Sequence, residues 1–279
     1  MTAELIRNVS DTARWVATYR ARESAREDAL FHDPLAARLS GERGQAIANQ
    51  ASQHSEWALI TRTKVLDDYV ATTLAEGSDC VLNLACGFDT RPYRLPLPAG
   101  LRWVEADLPD LIAEKDELLR AETPRCRLER VAVDLADPSA RNAFLARYTA
   151  GAQRVTVITE GLVIYLDPSL VQALARDLSA CAAVHEWMLD FNSPRINREA
   201  SEQMGKTLEQ APFKFAPPNG LSFFEELGWK PREVRSLFHE GVRLKRVPLL
   251  MRPFALLPPP NPRDLRDERW SAVVRFERA

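Results

Sequence analysis

No apolar run in the 279 residues approaches the roughly 20 that a membrane-spanning helix requires. The opening stretch, Met1 to Asp11, is polar and mixed in charge, and it lacks the apolar core of a secretory signal. Both absences point to a cytoplasmic chain that does not engage a membrane. Cysteine is scarce. Cys80, Cys86, Cys126 and Cys181 are the only four, none forms a C-x-x-C pair, and each sits in an apolar segment. They read as buried reduced thiols, and no zinc site or disulfide framework is expected. There is no excess of one charge either. Lys and Arg number 37 against 39 Asp and Glu, so the formal net charge is -2 and the basic residues form no stripe. Nothing in that balance draws the chain to nucleic acid. Internal repeats and low-complexity tracts are also missing. What is present is an ordinary globular composition, 46% hydrophobic and 27% charged, which supports a full core and argues against disorder.

The first 75 residues read as helical. Ser10 to Arg22 carries Ala13, Val16, Ala17 and Tyr19 at helical spacing, Asp33-Pro34 opens a segment from Leu35 to Leu39, and a long helix follows from Gln53 to Ala75. Gly77 then stops the helix. From there short apolar runs alternate with amphipathic stretches: Cys80–Ala85, Leu101–Ala106, Leu128–Val133, Val155–Thr159 and Trp187–Phe191 read as strands, with helices between them. This alternation predicts a mostly parallel sheet covered on both faces. A polar, proline-bearing stretch from Asn192 to Asn219 breaks the pattern. It reads as an insert beyond a strand's C-terminal end, a lid or acceptor-binding segment, with a plain surface excursion as the alternative. Leu221–Leu227 reads as a short helix, and Val234–Leu237 and Ala272–Phe276 as late strands. The expected organisation is a helical cap over residues 1–76 on an α/β core over 77–279, with the insert at about 192–222.

The ends of the early strands carry the chemistry. The first runs into Ala85-Cys86-Gly87, a small-residue turn that lets a ligand approach the backbone closely. Dinucleotide enzymes use this device, and so do adenosylmethionine enzymes. The second ends in Glu105-Ala106-Asp107, with Asp107 20 positions after Gly87. An acid there can accept from both ribose hydroxyls, with Glu105 a lesser candidate; a helix cap is the plainer alternative. The third ends in Asp134-Leu135, a pair suited to an adenine ring, with a cap again the alternative. The fourth ends in Thr159-Glu160-Gly161, where a buried carboxylate needs a cationic partner such as the cofactor's α-ammonium. Arg62, in the long helix, can offer its planar fork to the cofactor's carboxylate.

Arg62-Thr63, Leu84-Ala85-Cys86-Gly87-Phe88-Asp89-Thr90-Arg91, Glu105 to Pro109, Asp134-Leu135 and Thr159 to Leu166 together resemble the leucine carboxyl methyltransferase family. The likeness is closest to its bacterial branch, which is similar to polyketide carboxyl O-methyltransferases of the tetracenomycin type. Thr12 to Trp15, Asp28 to Phe31 and Asp33-Pro34 extend it, so that it spans roughly Asp11 to Leu166. The resemblance implies a Rossmann-like, seven-stranded class I methyltransferase fold with an N-terminal helical extension. It implies S-adenosyl-L-methionine as cofactor, with Arg62 on its carboxylate, Asp107 on the ribose, Asp134 and Leu135 around adenine, and Glu160 near the amino group. A further basic residue in the N-terminal helices, Arg20 or Arg22, belongs to the same pattern. Ala85 stands where the family has glycine, which an ordinary backbone conformation would accommodate.

The implied reaction is O-methylation of a small-molecule carboxylate. Such an acceptor, with a pKa of about 4, is already ionised at neutral pH and needs no base. A phenol, with a pKa of about 10, would profit from one. No residue is assigned a catalytic role. His32, His54, His185 and His239 fall in no motif and are expected to be structural, while Tyr165 and Arg198 are candidate acceptor contacts. A nicotinamide oxidoreductase fits less well, since the turn has a single glycine and Tyr165 has no lysine four residues on. A non-catalytic adenosylmethionine-binding protein stays open as an alternative. No metal and no obligatory protein partner are implied.

Overall fold

The computed structural model describes residues 9–50, 56–204 and 211–279. Three helices come first: α1 (Val9–Ser24), α2 (Ala36–Gln50) and α3 (Glu56–Ala75). The α/β part follows as β1 (Cys80–Leu84), α4 (Arg91–Arg94), β2 (Arg102–Asp107), α5 (Pro109–Leu119), β3 (Arg127–Ala132), α6 (Pro138–Thr149), β4 (Val155–Thr159), α7 (Pro168–Ala180) and β5 (Val184–Asn192). The chain ends with α8 (Pro194–Met204), α9 (Leu221–Glu225), β6 (Trp229–Ser236), α10 (Leu237–Arg243) and β7 (Ser271–Arg278). The strands form one sheet in the order β3-β2-β1-β4-β5-β7-β6. Neighbours from β3 to β5 run parallel, and β7 is antiparallel to both β5 and β6. This is the mostly parallel sheet that the alternating pattern implies, with the seven strands that the family resemblance implies.

Continuous apolar runs mark the strands that are covered on both faces, and every residue of β1 and of β4 is buried. Alternate side chains serve two layers. Leu82, Leu84 and Val157 pack with Phe144, Leu174 and Leu178 of α6 and α7. Val81 and Ile158 pack with Val65, Leu66, Tyr69 and Val70 of α3. Strand order reverses direction at the β1–β4 boundary, and open α/β sheets bind ligands in the crevice at such a point.

The differences from the sequence reading have local causes. The segment opening at Asp33-Pro34 continues into α2 as far as Gln50, across a kink at Gly41, whose φ of 58° a glycine adopts without strain. Of the long helix, the part from Glu56 is seen, and residues 53–55 lie outside the described residues. The polar insert holds a helix, α8, where Pro194 takes the first position and the Ser193 hydroxyl accepts from the Ile196 amide at 3.4 Å. Few apolar residues mark it, so no hydrophobic period announced it. The late strand read at Val234–Leu237 is the end of the longer β6, and Leu237 already begins α10.

Candidate cofactor and acceptor site

One cavity of about 1530 Å³ opens over the C-terminal ends of β1, β2, β4 and β5. Arg62, Ala85, Gly87, Asp107, Asp134, Leu135, Glu160 and Tyr165 all line it. The tight turn after β1 forms its floor. Ala85 sits at φ 53°, in the left-handed region that a side chain disfavours, so the ordinary backbone expected at this position is not what the chain adopts. Strain of this kind concentrates where a ligand site over-determines the backbone. Relief of about 1–2 kcal/mol from that conformation should exceed the entropy cost of a glycine. Ala85→Gly is therefore expected to stabilise the fold by about 0.5–1 kcal/mol, measured as a higher urea midpoint at unchanged slope. At Gly87, φ is 48°, and an added Cβ would lie 3.2 Å from the Ala13 Cβ.

The Gly87 amide donates to Asp107 Oδ2 at 2.7 Å, and the Leu108 amide donates to Oδ1 at 2.8 Å. Burial pushes the Asp107 carboxyl up from its ordinary value, and these two amides work against that rise. A carboxylate has about four acceptor positions, so two are left for hydroxyl groups. Asp107 does not cap α5, which begins after Leu108 without a side-chain cap. Glu105, one pleat deeper, is fully buried away from the cavity wall and pairs with Lys115 and Arg130, each at 2.8 Å. At the third strand, Asp134 Oδ1 accepts from the Ala136 amide at 2.9 Å, while the cap of α6 is Asp137. Arg141, pinned by Asp177, donates to the Leu135 carbonyl at 2.8 Å and fixes that loop.

Glu160 is not a lone carboxylate. Arg62 Nε reaches its Oε1 at 3.0 Å, and Arg91 Nη1 its Oε2 at 2.8 Å. Arg91 also holds Asp89 and Asp67, each at 2.7 Å, and Arg94 bonds Asp67 at 2.6 Å. Arg62 Nη1 donates to Asp190 Oδ2 at 2.9 Å, and Asp190 Oδ1 accepts from the Gly161 amide at 2.6 Å. Gly161 has φ 64°, and a Cβ there would come within 3.2 Å of the Arg62 guanidinium. Burial opposes ionisation of Asp89 and Glu160, yet the guanidinium groups, Arg91 foremost, hold both carboxyls below their ordinary values. Asp67, Asp89, Arg91 and Asp190 were not read from sequence as site residues. Asp190 obeys the same rule as the others, an acid near the end of a buried strand, but it lies inside the run that ends at Phe191.

Between the two basic candidates in α1, Arg20 lines the cavity, bonded to Asp33 at 2.8 Å and to the Phe88 carbonyl at 2.6 Å. Arg22 turns away to Asn49 and Glu56. Tyr165, also in the cavity lining, packs on Phe213, 5.4 Å between ring centroids, and burial pushes its hydroxyl up to about 12. Arg198 is exposed and does not line the cavity. Arg195, Ile196 and Glu199 do, because helical periodicity turns that face of α8 inward and leaves Arg198 on the other. Among the histidines His239 is a cavity residue, with Nδ1 3.2 Å from the Ser236 hydroxyl. His54 lies outside the described residues. Met251, Phe254 and Leu257 close the apolar rim. Among the described residues no group of three or more His, Cys, Asp or Glu side chains is placed to hold a metal, and no helix is long and apolar enough to cross a membrane.

A seven-stranded sheet of this order, with one antiparallel strand near its far edge, defines a class I methyltransferase fold. Two solved structures share it at identities that speak for the fold alone. A "duf574 family protein" from Streptomyces avermitilis superimposes with a TM-score of 0.61 at 15% identity, over 96% of this chain and 97% of that one. A "putative methyltransferase" from Thermobifida fusca gives 0.58 at 16% identity, over 93% and 94%. The leucine carboxyl methyltransferase family model matches residues 13–179, and the chain belongs to that family. Among similar proteins, one from Frankia alni is 36% identical over 238 residues, covering 82% of this chain and 84% of its own length. One from Parafrankia is 29% identical over 245 residues, covering 82% and 79%. Both are named "Putative S-adenosyl-L-methionine-dependent methyltransferase".

Proposed function

We propose that this S-adenosylmethionine-dependent methyltransferase methylates an oxygen, a carboxylate, of a small-molecule acceptor. The observation that carries the reading is the convergence of Asp107, Asp134 and Glu160, from three separate strand ends, on one cavity beside the Gly87 turn. The donor set suits the cofactor. Asp107 keeps acceptor capacity for ribose hydroxyls, Leu135 and Asp134 flank a slot for adenine, and Glu160 with Arg62 meets the charged amino-acid end. Gly87 and Gly161 both have positive φ, and a side chain at either would crowd Ala13 or Arg62 in the cavity wall. Bound there, S-adenosylmethionine supplies an electrophilic methyl group on its sulfonium.

The chain's own share is to orient and to exclude water. Orientation of two partners can supply up to roughly 7–11 kcal/mol, enough for an acceptor that arrives already ionised. The N-terminal helices cap the cofactor end. The inward face of α8 and the rim at Met251, Phe254 and Leu257 form the lid over the acceptor, whose body rests on Tyr165, Phe213 and Ile196. A phenolic acceptor is the second reading, favoured by one observation: His239 lines the cavity and is the right kind of group to take a phenol's proton.

A labelled methyl donor offered with a panel of carboxylic acids and phenols tests both. The expected product is an ester, which base hydrolyses; a base-stable ether would establish the phenol instead. His239→Gln is expected to leave ester formation within about twofold. The same change should slow phenol methylation by about a hundredfold, the lower end of what a general base contributes. If no acceptor in the panel brings about release of S-adenosylhomocysteine, a binding protein without turnover would be favoured.

A further inference from the structure

The buried network around Glu160 does not balance. Arg62, Arg91 and Arg94 supply three positive charges, and Asp67, Asp89, Glu160 and Asp190 supply four negative ones, all linked by direct bonds. Of the adjoining charges, Arg20 pairs with Asp33, and Lys115 and Arg130 with Glu105 and Asp116, while Asp107 is held by the Gly87 and Leu108 amides. The directly bonded network is therefore left with one negative charge of its own at the inner wall of the cavity. The four carboxylates are not equivalent. Asp67 is shared by two guanidinium groups, Glu160 by two, and Asp89 by Arg91 and the Asn83 amide. Among the described residues Asp190 bonds one cation, Arg62, which it shares with Glu160, and otherwise the Gly161 amide, and it lines the cavity.

We propose that this surplus charge, set by Asp190, makes the site discriminate between the sulfonium donor and its thioether product. The inference rests on the cofactor reading above. S-adenosylmethionine carries one net positive charge and S-adenosylhomocysteine none. Transfer of the methyl group therefore removes the counter-charge that the network lacks. In a wall this poorly hydrated, an unmatched charge is costly, because charges interact far more strongly than in water. The donor is thus held and the product is pushed out, with no residue touching the reacting atoms. Asp190 acts as a specificity residue, and through Arg62 and the Gly161 amide as a positioning one.

Calorimetric titration of the full chain with each ligand tests this. Asp190→Asn keeps the shape and an oxygen acceptor for Gly161 but removes the charge. The ratio of the two dissociation constants, product over donor, is expected to fall about tenfold. Glu160→Gln removes one charge from the same network and should move the ratio in the same direction, which keeps the test decisive if the first variant does not fold. A role confined to structure would weaken both ligands alike; an unchanged ratio in a folded variant overturns the proposal. A wild-type chain that binds neither ligand would refute the cofactor reading instead, and one that binds both with a static ratio refutes only the charge argument.

Discussion

Arg91→Met is expected to lower the stability of the fold by about 3–5 kcal/mol, the range for removing one partner of a buried ion pair. Its guanidinium is 1% exposed and bonds Asp67, Asp89 and Glu160. Methionine fills the space of the stem, so the loss comes from three carboxylates left without their shared cation. Urea denaturation at neutral pH reads it as a lower midpoint. The pH dependence has a definite sign. Asp89 and Glu160 are held below their ordinary values in the folded chain. Their contribution is complete above the unfolded carboxylate pKa of about 4 and is lost as pH falls below it. In the variant these acids can be buried only at a penalty while ionised, and protonation relieves it. The deficit between wild type and variant should therefore shrink between pH 7 and pH 4. A deficit that stays constant would mean that Arg91 acts through packing alone.

Asp107→Ala carries the second large effect. Cofactor affinity is expected to drop by about 1.5–3 kcal/mol, the range for hydrogen bonds to a charged group, or about ten- to a hundredfold in Kd. The same carboxylate also accepts the Gly87 and Leu108 amides, so the change loosens the turn as well as the ribose contact. Asp107→Asn separates the two contributions, because it retains an acceptor for the Gly87 amide while giving up the charge. Calorimetry on folded variants, checked by thermal unfolding without ligand, decides the matter. Unchanged affinity in Asp107→Ala would remove this acid from the cofactor site.

The ion-pair network reaches the cavity at Arg62. Its guanidinium joins Glu160 and Asp190 across the gap between α3 and the sheet, against the wall made by Gly161. An incoming cofactor carboxylate would have to share a cation that already serves two acids.

Much of this was legible in the sequence because strand ends are local features. A buried apolar run followed by an acid marks where a parallel strand leaves the sheet, and the C-terminal ends of such strands share one edge. That reasoning placed Asp107, Asp134 and Glu160 on a common cavity, and likewise the small-residue turn at Ala85 and Gly87. It failed where the deciding fact was a rotation or a partner far along the chain. Arg198 and Arg195 are indistinguishable by type, and only the phase of α8 brings Arg195, itself exposed, to the edge of the cavity. Glu105 and Asp107 share a strand face, yet Lys115 from α5 claims the first and leaves the second to the cavity.

By itself the sequence determined the layered α/β fold, the edge of the sheet that carries the site and the class of ligand suited to it, since hydrophobic period and strand-end chemistry act over a few residues. Tertiary structure alone decided that Asp190, 128 positions from Arg62, completes the charge network, that Arg20 and not Arg22 reaches the cavity, and that His239 lines it. Those outcomes depend on how distant elements pack, and no spacing along the chain encodes which side chains will meet once the apolar faces have been buried.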